Sequence, residues 1–231
     1  MKFYDRTKEL EALRKIEQLS ATSAQMTVMT GRRRIGKTTL IKTAFTKIPF
    51  VYFFVGKKSE TLLCSELAEI IRETLGEDLG DFSSFPRLLG AILSIAKRRN
   101  FTLVFDEFQN IAYTRPSIFS DIQDVWDSNK GESHINLVIC GSLYSKMKQI
   151  FEDKEEPLYG RATARFKIRP FDIATLKTIL ADHNPGYTAE DLLCLYMVTG
   201  GVAKYVEQLM TRGAVTKDGI IRDVFSLGSY F

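Results

Sequence analysis

The stretch that decides the fold is Met26-Thr-Val-Met-Thr-Gly31-Arg-Arg-Arg-Ile-Gly36-Lys37-Thr38-Thr39. A short apolar run, Met26 to Met29, reads as a buried strand that ends in Thr30-Gly31, and a helix is expected to begin at Gly36-Lys37 and run to about Lys47. Between them Gly31 to Thr38 fits the pattern G-x-x-x-x-G-K-[ST] at every fixed position. Glycines let consecutive backbone N–H groups turn inward as an anion-binding nest, and the following helix points its positive end at the same place. Lys37 supplies a point charge for β- and γ-phosphates, and the Thr38 hydroxyl is placed to ligate Mg²⁺. The backbone of Gly31, Arg32, Arg33, Arg34, Ile35, Gly36, Lys37, Thr38 and Thr39 is therefore the expected phosphate cradle. The side chains of Arg32 to Arg34 have two readings, contact with phosphates, a partner or nucleic acid, or simple solvation.

Working outward, Thr7 to Leu19 has a helical apolar pattern before the loop. After it, Phe50 to Val55 reads as a second strand, Phe101 to Phe105 as a third, Ile135 to Cys140 as a fourth and Arg165 to Phe171 as a half-exposed fifth. Helices fall between them. One is capped by Ser59 and carries Leu62, Leu63, Leu67, Ile70, Ile71 and Leu75, one starts near Pro86, and one opens at Pro116. After Asp172 only helical patterns remain, over Asp172 to His183, Thr188 to Val198 and Val202 to Thr211, the second opening with the capping pattern Thr188-x-x-Asp191. Strands alternating with helices predict an α/β fold, a P-loop NTPase core with a parallel sheet between helical layers, over residues 1–171. A small helical lid is expected over 172–231.

The third strand ends in two adjacent carboxylates, Phe105-Asp106-Glu107. Carboxylates at the C-terminal end of a strand face the crevice where α/β sheets bind ligands. Asp106 is expected to hold Mg²⁺ and Glu107 to act as general base on an attacking water. GTPase chemistry would need Gly three residues after the Asp, where Gln109 stands, and Asn129-Lys-Gly-Glu132 precedes a strand and reads as a turn, so ATP is preferred over GTP. Ser142 ends the fourth strand, where the P-loop NTPase branch that this spacing resembles has a polar contact to the γ-phosphate or the water, or it can cap a helix.

Composition bounds the rest. The 231 residues carry 32 Lys+Arg and 28 Asp+Glu, a net charge of +4 that does not by itself imply nucleic acid. No apolar run approaches the roughly 20 residues of a membrane span, and Met1 to Lys15 has no secretory h-region. Three cysteines, Cys64, Cys140 and Cys194, stand among apolar neighbours without metal-ligand spacing, which predicts buried free thiols in a reducing cytoplasm.

With these residues on the page, the chain resembles the archaeal-type ATPase family in the STAND group of AAA+-related NTPases. The resemblance rests on Phe3-Tyr-Asp5-Arg6 through Glu9-Leu10, the loop Gly31 to Thr38, Phe105-Asp-Glu-Phe-Gln109 and Cys140-Gly-Ser142. It continues through Pro157-Leu-Tyr-Gly-Arg161, Arg169-Pro-Phe171 and Gly200-Gly-Val-Ala-Lys-Tyr205. The spacing of the acid pair is similar to that of the branch with an additional strand and a catalytic glutamate, which implies the sheet order 5-1-4-3-2. The resemblance implies that Arg161 senses or neutralises γ-phosphate charge, in cis or toward a neighbouring subunit, with a plain basic surface residue as the alternative. Asp5 and Arg6 either frame the base or merely open the first helix. Gly201 belongs to a stretch resembling an adenine-packing G-x-P motif, but Ala203 stands in the proline's place. Family members often continue into a winged-helix region and a nuclease-like domain, and Ser226 to Phe231 resembles a connecting segment, so a truncated chain and a short member both remain open.

These features predict Mg²⁺-dependent ATP hydrolysis acting as a conformational switch, with ATP and ADP as ligands. The alternative is a nucleotide-dependent protein- or DNA-binding module with little hydrolysis. A small-molecule kinase is disfavoured because the helical tail offers only Arg212 and Arg222. A protein partner or self-association through the lid or Arg161 is left open, as is DNA binding along Arg165, Lys167 and Arg169. No membrane partner is expected.

Overall fold

A computed structural model describes residues 2–231; the Met1 that opens the expected core lies outside the described residues. Five parallel strands form one sheet, β1 (Gln25–Thr30), β2 (Phe50–Phe54), β3 (Phe101–Asp106), β4 (Ile135–Gly141) and β5 (Ala164–Lys167), in the order β2-β3-β4-β1-β5. This is the order 5-1-4-3-2 read from the other edge. Every residue of β3 and β4 is buried, as expected for parallel strands covered on both faces. The edge strand β5 alternates half-buried and exposed positions. It is shorter than the sequence suggests, because its partner β1 ends at Thr30 opposite Lys167 and no strand remains for Ile168 to Phe171 to pair with.

The helices α1 (Thr7–Leu19), α2 (Lys37–Ala44), α3 (Glu60–Leu75), α4 (Phe85–Ala96), α5 (Ile118–Asn129) and α6 (Tyr144–Glu152) accompany these strands. Ser59 caps α3 through the Leu62 N–H, and Pro86 stands in the first turn of α4. Helix α2 stops at Ala44 instead of Lys47, since Pro49 disfavours helical backbone at Ile48 and the chain must turn into β2. Helix α6 was not legible, although Met147, Ile150 and Phe151 are spaced to bury one face. Asn129 to Glu132 is the turn closing α5, with the Glu132 N–H on the Asn129 carbonyl at 3.2 Å.

Contacts group the chain into two compact units. One holds Lys8–Arg32 and Thr38–Lys167, and its core includes Phe53, Phe85, Phe105, Phe108 and Trp126. The other gathers the segment ending at Thr7, the loop piece Arg33–Lys37 and Ile168–Phe231. This second unit contains α7 (Ile173–His183), α8 (Ala189–Thr199), α9 (Ala203–Thr211) and α10 (Lys217–Val224), around Leu176, Leu180, Leu195, Val206 and Leu209. The Thr188–Asp191 capping box forms, and Asp191 also accepts the Lys217 N–H at 2.6 Å, fastening α10 to α8. Cys64 and Cys140 are buried free thiols, whereas Cys194 is only half-buried. No helix among the described residues is long and apolar enough to cross a membrane.

Candidate functional site

The loop after β1 has the backbone its sequence requires. Gly36 has φ +97° and Arg34 has φ +67°, both in the left-handed region, and Ile35 between them is buried as an anchor. Gly31 and Lys37 are buried, and Lys37 opens α2, so the N–H groups of the first turn lie at the end of the loop. Thr39 is exposed, and its carbonyl accepts the Thr43 hydroxyl at 2.8 Å. The side chains of Arg32, Arg33 and Arg34 are all exposed.

Thr38 stands where it meets the acid pair. Its hydroxyl donates to Asp106 Oδ2 at 3.4 Å, and the Tyr52 hydroxyl donates to the same oxygen. Asp106 Oδ1 accepts the Glu107 N–H at 3.0 Å. Tyr52, on β2 beside β3, escaped the sequence reading; a phenol in an otherwise Phe/Val strand was the available signal. Burial first, then the hydrogen bond to Asp106 and that carboxylate's charge, raise the Tyr52 phenol well above its ordinary range, so it remains a donor.

Glu107 sits at φ +55° and ψ +39°, an uncommon conformation for this residue type. The turn aims its carboxylate back across β4, where Oε2 accepts the Ser142 hydroxyl at 2.8 Å and the Gln109 amide. Gln109, read in the sequence for what it excludes and as the end of a family motif, is thus a partner of Glu107. It is 2% exposed, and its Oε1 lacks a hydrogen-bond partner. A Cβ at Gly141 would fall 2.5 Å from that oxygen and 2.4 Å from Met147, so a larger residue at the end of β4 would displace the Gln109 and Met147 side chains. Among the described residues, the non-glycine positions with positive φ are Asp5, Arg6, Arg34 and Glu107. Each belongs to the residues singled out by sequence, and strain of this kind concentrates at functional sites.

Thr38, Asp106, Glu107 and Ser142 are therefore brought together on one sheet edge, joined by Tyr52 and Gln109. Arg161 is not. It precedes β5, beside Thr163, whose N–H bonds the Met26 carbonyl near the start of β1. That is some 16 Å of strand from Gly31, at the opposite edge of the sheet. There Arg161 pairs with Asp127 at 3.0 Å. Burial works against the Asp127 charge, but hydrogen bonds from Lys130 and Arg161 prevail and hold its carboxyl below the usual range.

In the helical unit, Arg6 is buried, donates to the Arg169 carbonyl and lies over Phe171, with its guanidinium carbon 5.4 Å from the ring centre. Asp5 is exposed just before α1. Gly201 has φ +70°, and a Cβ there would meet the Phe171 carbonyl oxygen at 2.3 Å, so backbone packing accounts for this glycine. Ala203 Cβ lies 3.7 Å from where a Gly36 Cβ would stand, and the Lys204 N–H donates to the Arg34 carbonyl at 3.1 Å. The Arg34 guanidinium stacks over Tyr230 at 4.8 Å and Tyr205 at 5.9 Å.

As a donor set, Asp106 with Thr38 fits Mg²⁺, a hard cation bound through one or two carboxylates, hydroxyl, water and substrate phosphate oxygens. The same architecture recurs in solved structures. A Walker-type ATPase of Pyrococcus abyssi superposes with a TM-score of 0.65 at 18% identity, over 95% of this chain and 73% of that one. The ORC2 protein of Aeropyrum pernix, solved in ADPNP–ADP complexes, gives 0.63 at 16% identity over 95% and 67%. An uncharacterized protein of Methanocaldococcus jannaschii is 27% identical over 207 residues, which is 90% of this chain; the chain spans 44% of that relative's length. A sequence profile for an ATPase domain found predominantly in Archaea matches residues 3–209, Walker loop, acid pair and most of the helical unit included, and the chain belongs to that family.

Proposed function

We propose that the chain binds Mg²⁺–ATP and hydrolyses its β–γ phosphoanhydride slowly, as a conformational switch of the STAND type. The observation that carries this reading is the convergence of Thr38, Asp106, Glu107 and Ser142 at the C-terminal ends of β3 and β4. The loop N–H groups and Lys37 would bind the phosphates, and Thr38 and Asp106 would hold the metal ion, which neutralises charge on the β- and γ-oxygens. Glu107 would accept the proton of the attacking water, and Ser142, already bonded to Glu107, would fix where that carboxylate points. The functional parts in this account are the core 1–171 and the lid 172–231, whose movement would report the nucleotide state. Free thiols fit a reducing, cytoplasmic setting.

A second reading, a nucleotide-dependent binding module with little turnover, is favoured by one feature. Glu107 Oε2 already accepts two hydrogen bonds, and a carboxylate so engaged cannot turn toward an attacking water until a donor lets go. Arg161 would act on a neighbouring subunit only after release from Asp127. The test is phosphate release from ATP with Mg²⁺ and with EDTA, next to Lys37→Ala. Metal-dependent release abolished by that substitution supports the ATPase. Tight ATP binding without release supports the second reading, and no nucleotide binding removes both.

A further inference from the structure

The rest of the C-terminal edge of the sheet has a composition unlike the chain as a whole. Residues 54–59, 110–115, 142–149 and 166–167, which form or follow the ends of β2, β3, β4 and β5, contain six lysines and arginines and no aspartate or glutamate. The whole chain is nearly balanced, with 32 basic and 28 acidic residues. Lys58 is paired with Glu66, and Arg115 with Glu60 and Asp121. Lys57, Lys146 and Lys167 instead lie against exposed tyrosine rings. The Tyr113 ring, 56% exposed, has the Lys57 ammonium 4.5 Å and the Lys146 ammonium 5.6 Å from its centre. The Tyr144 ring, 41% exposed, has Lys167 at 4.2 Å. Lys57 also hydrogen-bonds the Tyr113 phenol and lowers its ionisation range.

Tyr144 and Lys146 are two residues apart at the start of α6, so the two clusters form one band. From β2 to β5 that band spans four strand spacings, about 19 Å. Its chemistry alternates exposed tyrosines, whose rings now carry lysine ammonium groups that bound phosphates would draw away, with ammonium groups facing no carboxylate partner among the described residues. A single-stranded nucleic acid is the complementary polymer, with unpaired bases to stack and phosphates to neutralise. An acidic peptide would satisfy the lysines and leave the rings unused. A duplex keeps its bases inside its own stack.

We propose that this band binds single-stranded nucleic acid, with bases stacked on Tyr113 and Tyr144 and phosphates held by Lys57, Lys146 and Lys167. The proposal does not depend on the ATPase reading, and its test is made without nucleotide. Fluorescence anisotropy of labelled twenty-residue oligo-dT and oligo-rU is measured with the whole chain at 50 and 200 mM salt. Saturable binding that weakens with salt is expected. Tyr113→Ala and Tyr144→Ala should each weaken it by about fivefold or more. Replacing the three lysines by alanine should flatten the log–log salt slope by about 2. All five side chains are exposed, so unchanged circular dichroism should confirm that the variants fold. No saturable binding at 50 mM salt overturns the proposal. So does equal binding of duplex DNA or poly-glutamate with no effect of the tyrosine substitutions, which would mark a non-specific polyanion surface. Phosphate release on the same preparations keeps a failure here separate from a failure of the ATPase reading.

Discussion

The two edges of one sheet hold carboxylates in opposite ways. At the N-terminal edge, Asp127 is closed off by two cations, Arg161 at 3.0 Å and Lys130 at 2.7 Å. At the C-terminal edge, Asp106 accepts two hydroxyls and a backbone N–H, and Glu107 accepts a hydroxyl and an amide. Neutral donors orient a carboxylate without cancelling its charge, which remains available to a cation or a proton. A cationic partner cancels it, and the product is a structural ion pair. On the proposed function, the carboxylates of the first kind carry the chemistry and the pair of the second kind holds structure.

The sharpest way to break that comparison is to remove the charge at the C-terminal edge. Asp106→Asn should lower turnover by about 100-fold or more and raise the Mg²⁺ needed for half-maximal rate, since the ion would lose its one carboxylate. A carboxylate in the helical unit gives a second contrast. Asp191 is held below the usual range first by the Thr188 and Lys217 backbone N–H groups, so its folded pKa lies under its unfolded value near 3.9. Its contribution is thus complete above about pH 4 and is lost as pH falls through the lower, folded value. Asp191→Asn should cost about 1 kcal/mol at neutral pH and flatten that acid limb of thermal melts, because it removes a cap acceptor shared by two helices. Tyr52→Phe should alter the Mg²⁺ dependence a few-fold while leaving ATP affinity near wild type, as it deletes one donor to Asp106. The smallest effect belongs to Arg161→Ala. A partly exposed pair is worth at most about 1 kcal/mol, and turnover by the isolated chain should not change. A large loss would place Arg161 in the reaction after all.

Much of this was legible from spacing. The loop, the strand ending in Asp106-Glu107 and Ser142 three strands along are local patterns, and local patterns survive folding. What escaped was non-local or conformational. Tyr52 meets Asp106 only because β2 pairs with β3, and Gln109 meets Glu107 only because Glu107 adopts positive φ. Helix α6 hid behind a polar run in which three well-spaced apolar residues do the burying. Helix α10 holds a glycine and buries only Ile220, too little for a periodic signal. Arg161 shows the reverse, a residue singled out by motif that strand order places at the far edge.

The central claim is that Glu107 is the base of an ATP-hydrolysing site, and the most direct measurement follows ATP binding and phosphate release together in wild type and Glu107→Gln. The account predicts metal-dependent release in wild type, at least about 100-fold slower in the variant, with ATP affinity retained. Equal release from both proteins would contradict it.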